Sequence, residues 1–154
     1  MRYYGSDVVL ADVPDEISLT FAIVGCRLNC SACFWQELRS APTYELDDEL
    51  FTDTIQRYRG LVSCVLFYGG EWHPLELIRK LKLAHQLGFK TCLYTGLSRV
   101  KDSILKHLDY LKTGTYQEKL GGLSSPTTNQ KFINVNSGED LTAQFWQLAL
   151  EKRK

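Results

Sequence analysis

The sequence predicts an α/β fold, an open and partial barrel of parallel strands, and three observations carry that expectation. Short apolar runs alternate with amphipathic segments, a pattern that gives strands joined by right-handed helical crossovers and hence a parallel sheet. The run Leu19 to Val24 is almost continuously apolar, as a strand covered on both faces is. With 154 residues the chain can build a real core, yet it falls short of the ~250 residues of a complete eight-stranded barrel. Residues 1–154 are therefore expected to form one domain.

The elements follow in order. Met1 to Glu16 reads as an edge strand or arm carrying Val8-Val9-Leu10-Ala11, with a turn at Val13-Pro14-Asp15-Glu16. The first core strand starts at Ile17, and Gly25 releases it into a loop. Pro42-Thr43-Tyr44 breaks the chain before a helix from Leu46 to Arg59, whose leading Asp47, Asp48 and Glu49 suit the positive end of a helix dipole. Val62 to Tyr68 is a second buried strand. Pro74 opens the next helix at its favoured first position, Leu77, Ile78, Leu81 and Ala84 repeat at helical spacing, and Gly88 stops it. Lys90 to Tyr94 is a third strand. Ser98 is expected to cap a helix through Leu105, Tyr110 to Lys112 to form a short fourth strand, and Lys131 to Val135 a last one. Between Gly114 and Gln130 lies a Gly-, Ser-, Pro- and Thr-rich stretch longer than most connections, and long ordered loops tend to be functional. Leu141 to Leu150 reads as a terminal helix.

Composition narrows the classes. Apolar residues make up 44% and charged residues 23%, which argues against disorder. Eighteen basic residues balance eighteen acidic ones, so nothing in the charge calls for nucleic acid or an anionic membrane. No segment approaches a membrane span, and five cysteines without secretory context fit a reducing compartment. A cytoplasmic protein is expected.

The chemistry concentrates in Cys26-Arg27-Leu28-Asn29-Cys30-Ser31-Ala32-Cys33, directly after the first core strand. Thiolates are soft ligands that favour iron-sulfur clusters, zinc or Cu(I), and a 4Fe-4S cluster ordinarily takes four of them. Three leave one metal position open, which is the arrangement catalysis needs. A zinc knuckle would bring a second Cys or His pair at short spacing, and none is present. Cys64 and Cys92 sit inside apolar strands and read as core. Four segments fall at strand carboxyl ends, where parallel α/β sheets bind ligands: the cysteine loop, Gly69-Gly70-Glu71, Tyr94-Thr95-Gly96 and Lys112-Thr113-Gly114. His73, His85 and Lys112 rank low; the histidines read as structural and the lysine as solvated.

The C-x-x-x-C-x-x-C spacing after a first strand resembles the signature of the radical S-adenosylmethionine (SAM) superfamily, and Gly69-Gly70-Glu71 resembles its second motif. The resemblance implies a partial barrel of the radical SAM type. It implies a 4Fe-4S cluster on Cys26, Cys30 and Cys33, with SAM on the open iron. Gly69, Gly70 and Glu71 would hold the SAM amino group, with Tyr94 and Thr95 beside the cofactor. Superfamily members often carry a bulky residue just before the third cysteine; here that residue is Ala32, so Phe34 or Trp35 takes the covering role. From Ile17 to Phe132 the chain, with its Gly121-Gly122-Leu123-Ser124-Ser125-Pro126-Thr127-Thr128-Asn129-Gln130 segment, looks like the activating protein of anaerobic (class III) ribonucleoside-triphosphate reductase. Such proteins make a 5'-deoxyadenosyl radical that abstracts hydrogen from a glycine of the large reductase. The implied partners are that reductase and an electron donor such as flavodoxin or ferredoxin. Rival readings are a radical SAM enzyme for a small molecule, similar to the deazaguanine synthases, an activator of another glycyl radical enzyme, and a non-catalytic metal-binding or electron-transfer module.

Overall fold

A computed structural model describes residues 1–33, 36 and 39–154. Seven strands make one open, mixed sheet: β1 (Arg2–Val9), β2 (Ser18–Ile23), β3 (Tyr44–Glu45), β4 (Cys64–Tyr68), β5 (Lys90–Tyr94), β6 (Tyr110–Thr113) and β7 (Lys131–Asn134), in the spatial order β3-β1-β2-β4-β5-β6-β7. The central four, β2, β4, β5 and β6, are parallel as expected. Helices α1 (Asp48–Arg57), α2 (Pro74–Gln86) and α3 (Asp102–Leu105) lie in the crossovers between them, and α4 (Thr142–Glu151) follows β7. No helix among the described residues is long and apolar enough to cross a membrane.

The expectation of a wholly parallel sheet needs correcting at both flanks. β1 runs antiparallel to β2 and to β3, and β7 runs antiparallel to β6. No helix separates β6 from β7, so the chain has no crossover to bring it back in the same direction. The amino-terminal strand begins at Arg2, ends before Leu10, and is not an edge, because β3 pairs outside it through Arg2 with Glu45 and Tyr3 with Tyr44. Ser98 caps nothing: α3 starts four residues later with Lys101 at its N-cap. The stretch after β5 is tied down instead, since the Leu97 amide donates to Thr95 Oγ1 at 3.0 Å and the Gly114 amide to the Leu97 carbonyl at 2.9 Å.

The two other long helices form for the reasons their sequences give. Asp47 caps α1 by accepting the Leu50 amide at 2.8 Å, and Phe51 and Ile55 are its buried face. Pro74 opens α2, which buries Leu77, Leu81 and Ala84. Strand alternation then divides the sheet into two faces. Leu19, Phe21, Val65, Phe67, Leu93 and Leu111 join the core under these helices, where Phe21, Phe51 and Phe67 cluster with ring centroids 5.1–5.7 Å apart. Cys64, Leu66, Cys92, Tyr110 and Phe132 point the other way into a second core with Val13, Leu141 and Phe145 of α4. Register carries this second face to the carboxyl edge, where Ala22, Tyr68, Tyr94, Lys112 and Phe132 stand side by side as one row.

Candidate functional site

The three thiols lie where the sequence puts them, on the loop that leaves β2 at the carboxyl edge. All three are free; Cys26 is exposed, and Cys30 and Cys33 are half-buried. Trp72 anchors the root of this loop. Its indole Nε1 donates to the Val24 carbonyl at 2.9 Å and its ring covers both Gly25 and Gly69. A β-carbon on Gly69 would stand 2.3 Å from Trp72 Cη2, and one on Gly25 2.9 Å from Nε1. Both glycines also have positive φ, 76° and 112°, so neither position accepts a side chain without strain. Further along, Leu28 packs over Gly96 at the end of β5, where an added β-carbon would meet its Cδ1 at 2.5 Å.

Glu71 stands beside the loop. Thr95, 3% exposed, donates its hydroxyl to Glu71 Oε1 at 2.5 Å. Glu71 Oε2 is buried and has no hydrogen-bond partner among the described residues. Burial pushes the carboxyl above its usual range, opposed by the Thr95 hydroxyl and a backbone amide. Cys26 lies at the surface, but the protein packed beneath it desolvates the thiol and raises its pKa; a backbone contact at Leu28 pulls the other way, and Glu71, Cys30 and Cys33 add to the rise. Glu71 and the three sulfurs thus share one electrostatic neighbourhood.

Lys112 is not solvated, contrary to the expectation for a strand-end lysine. It is 9% exposed, its Nζ donates to the Gly114 carbonyl at 2.9 Å, and that nitrogen lies 5.8 Å from the centre of the Tyr94 ring. Burial lowers it to about 8 against the opposing pull of Cys30 and Cys33. Tyr94 is a wall of the site rather than a donor to it, because its hydroxyl is committed to the Asp12 carbonyl, beside Tyr68, which donates to the Asp12 carboxylate. Thr95 acts through Glu71. Phe34 and Trp35, expected to cover a cofactor, lie outside the described residues. His85 is structural as expected, paired with Asp109 at 2.9 Å.

Two open clefts flank these groups. One of about 330 Å³ runs between Leu28, Asn29, Cys30 and Ser31 of the cysteine loop and Thr115 and Tyr116. The other, about 400 Å³, lies between Gly96, Ser98, Thr113, Gly114, Asn129 and Lys131. The loop between β6 and β7 borders both and is internally bonded: Thr127 Oγ1 donates to the Leu120 carbonyl at 2.9 Å, and Asn129 Nδ2 to the Thr115 carbonyl at 3.0 Å.

Whether these residues suit a cluster and SAM turns on donors and orphans. Among the described residues no three Cys, His, Asp or Glu side chains converge tightly enough to hold a metal ion, so the thiols share a loop without sharing a point. The donor set itself fits: three unpaired thiols on one segment are soft ligands that a metal gathers as it binds. The orphaned Glu71 Oε2 fits an ammonium group, which would give it the charge-assisted bond it lacks. Sequence reading passes over Trp72 and ranks Lys112 low as a solvated lysine. A tryptophan two residues after a pair of glycines is the available signal for the first, and the second has none in the chain, because its burial follows from strand pairing. No protein-family model, curated protein or solved structure matches the chain.

Proposed function

We propose that this protein is a radical SAM enzyme, an activase that places a glycyl radical in anaerobic ribonucleoside-triphosphate reductase, built on the superfamily's partial-barrel version of the open α/β sheet. The observation that carries the reading is the pairing of three free thiols after β2 with a buried, half-satisfied carboxylate after β4, at adjacent strand ends. When bound, a 4Fe-4S cluster with SAM supplies one-electron reduction of the sulfonium and a 5'-deoxyadenosyl radical for hydrogen abstraction. Cys26, Cys30 and Cys33 are the ligands in this reading, and Glu71 receives the amino group of SAM. Thr95 fixes the Glu71 carboxylate, so the unpartnered oxygen keeps one orientation. The openness of both clefts favours a segment of a large protein over an enclosed small molecule.

The test is anaerobic reconstitution with iron and sulfide, followed by dithionite and SAM. About one 4Fe-4S cluster per chain and release of 5'-deoxyadenosine are expected, then a glycyl radical signal by electron paramagnetic resonance when the reductase is added. A chain that takes up no cluster sinks the whole reading. One that cleaves SAM yet never produces a radical in the reductase retains the chemistry and loses the partner.

A further inference from the structure

The loop between β6 and β7 is bonded in a way that its Gly, Ser and Thr content does not suggest. Four consecutive side chains each donate to a main-chain carbonyl of the opposite limb: Thr127 Oγ1 to Leu120 at 2.9 Å, Thr128 Oγ1 to Gly121 at 3.2 Å, Asn129 Nδ2 to Thr115 at 3.0 Å and Gln130 Nε2 to Gly114 at 3.2 Å. Gln130 is 6% exposed, so water competes little for its bond. The limbs also touch at their root, where a β-carbon on Gly114, at φ 94°, would stand 3.2 Å from the Gln130 Cα. A plain connector needs no such ladder. Bonds between the limbs fix the loop in advance, and a surface ordered in advance loses less entropy when a partner binds.

What the ladder holds in place is Thr115 and, next to it, Tyr116. Thr115 borders both clefts, and together with Tyr116 it forms the wall opposite the cysteine loop in the cleft of about 330 Å³. Tyr116 is 37% exposed, a large aromatic of the kind that anchors protein contacts. Among the described residues lining this cleft there is no carboxylate, ammonium or guanidinium, whereas the neighbouring cleft carries Lys131. The lining of Asn29, Ser31 and Thr115 therefore suits an uncharged occupant that offers hydrogen-bonding groups. An open trough of this chemistry fits an extended main chain, whose peptide groups bond to the walls while side-chain contacts select it.

We propose that the β6–β7 loop is a preformed docking wall: an extended, uncharged stretch of the partner chain lies between Tyr116 and the cysteine loop, and Asn129 is the positioning residue that sets Thr115 and Tyr116 for that contact. The inference rests on the activase reading above and deepens it. Cys30 lines the same cleft, so the docked stretch passes beside one of the proposed cluster ligands.

The experiment follows glycyl radical formation against reductase concentration for the cluster-loaded wild type, Tyr116→Ala, Tyr116→Phe and Asn129→Asp. In parallel, the metal-free wild type and Tyr116→Ala are treated with iodoacetamide with and without the reductase. Tyr116→Ala and Asn129→Asp, the latter keeping the side chain's size and losing its donor, should each raise the KM for the reductase at least about tenfold with kcat within about twofold. Tyr116→Phe should stay within about threefold of wild type, because the ring is kept. The reductase should slow labelling of Cys30, which lines the cleft, and spare Cys26, which does not; Tyr116→Ala should lose that protection. If Asn129→Asp fails to fold, which circular dichroism reports, Tyr116→Ala decides. A wild-type KM in the folded variants, or Cys30 labelling indifferent to the reductase, overturns the proposal. An equal fall in SAM cleavage without the reductase also overturns it, and makes the loop part of the cofactor site. A wild-type chain that cleaves SAM and yields no radical in the reductase removes the activase reading, and this inference with it; a radical formed equally well by wild type and variants removes this inference alone.

Discussion

At the amino edge of the sheet, Glu16 is 6% exposed and both of its oxygens have donors: Lys90 and the Tyr110 hydroxyl on one, the Ser63 hydroxyl on the other. Among the described residues at the carboxyl edge, Glu71 has one oxygen on Thr95 and the other on nothing, Lys112 has no counter-ion, and three thiols are free. The same strands supply both edges, so the difference is not one of scaffold. A buried polar group without a partner costs roughly 1–3 kcal/mol, and a fold under selection for stability alone would have no reason to gather several at one end. Among the described residues the amino edge leaves only the Ser18 hydroxyl without a partner, whereas the carboxyl edge leaves a carboxylate oxygen unpartnered and an ammonium without a counter-ion, and it is the charged groups that mark which edge is kept for a ligand.

The sharpest way to break that comparison is through the thiols. In the native chain, Cys26, Cys30 and Cys33 should all react with iodoacetamide and Cys64 and Cys92 should not, because burial pushes Cys64 up to about 12 and Cys92 well above its ordinary value. Correspondingly, any one of Cys26→Ala, Cys30→Ala or Cys33→Ala should abolish cluster retention, and Cys64→Ser should keep it. Mass spectrometry and absorbance read both, and a labelled Cys92 in the folded protein would erase the distinction between core and edge.

Next in size is Glu16→Ala, which leaves the Tyr110 hydroxyl without its acceptor, the Ser63 hydroxyl with only the Ile17 carbonyl at 3.4 Å, and Lys90 without its carboxylate. A loss of about 2–3 kcal/mol in urea unfolding is expected, with thiol labelling unchanged. A neutral result would show that the amino edge is as dispensable as the other.

The carboxyl edge should respond in the opposite direction. Lys112 is held at about 8, below its ordinary 10.5, so the folded chain binds that proton more weakly than the unfolded chain does. Its cost to stability is therefore fully present below pH 8 and is relieved as pH rises from there towards the ordinary value. Lys112→Met should stabilise the metal-free protein by on the order of 1–2 kcal/mol at pH 7, and the gain should shrink by pH 10. Glu71→Gln should give a smaller rise in melting temperature at neutral pH, since burial disfavours the carboxylate, while weakening SAM binding about tenfold. Destabilisation by both substitutions would mean that these groups serve the fold.

Much of the frame is legible in the chain because its signals are local. The apolar run of β2, the proline at the head of α2 and the glycine at its end each specify an element without help from the rest. The triad and Gly69-Gly70-Glu71 are equally local. What escaped notice belongs to pairing. β3 is two residues long and exists because Arg2 and Tyr3 offer it an edge. The direction of β7 follows from a missing crossover. Lys112 looks like any strand-end lysine until register sets it beside Tyr94, and only the folded sheet shows that all four residues of β6 are buried. The same holds for Glu71: its motif is visible in sequence, its orphaned oxygen is not.

Trp72 ties together the two turns that flank the site. By filling the space over Gly25 and Gly69 at once and bonding to Val24, it joins the end of β2 to the turn after β4 as one hinge pin. Glu71, the residue before it, is held at that joint by the Thr95 hydroxyl. Among the described residues the three thiols do not meet at a point, so in the proposed cluster reading the adjustment that gathers them would fall to the chain beyond Gly25, where Ala32 sits at φ 57°. In the proposed cluster reading, loading the site would draw the cysteine loop together beside a carboxylate that Thr95 already holds in one orientation.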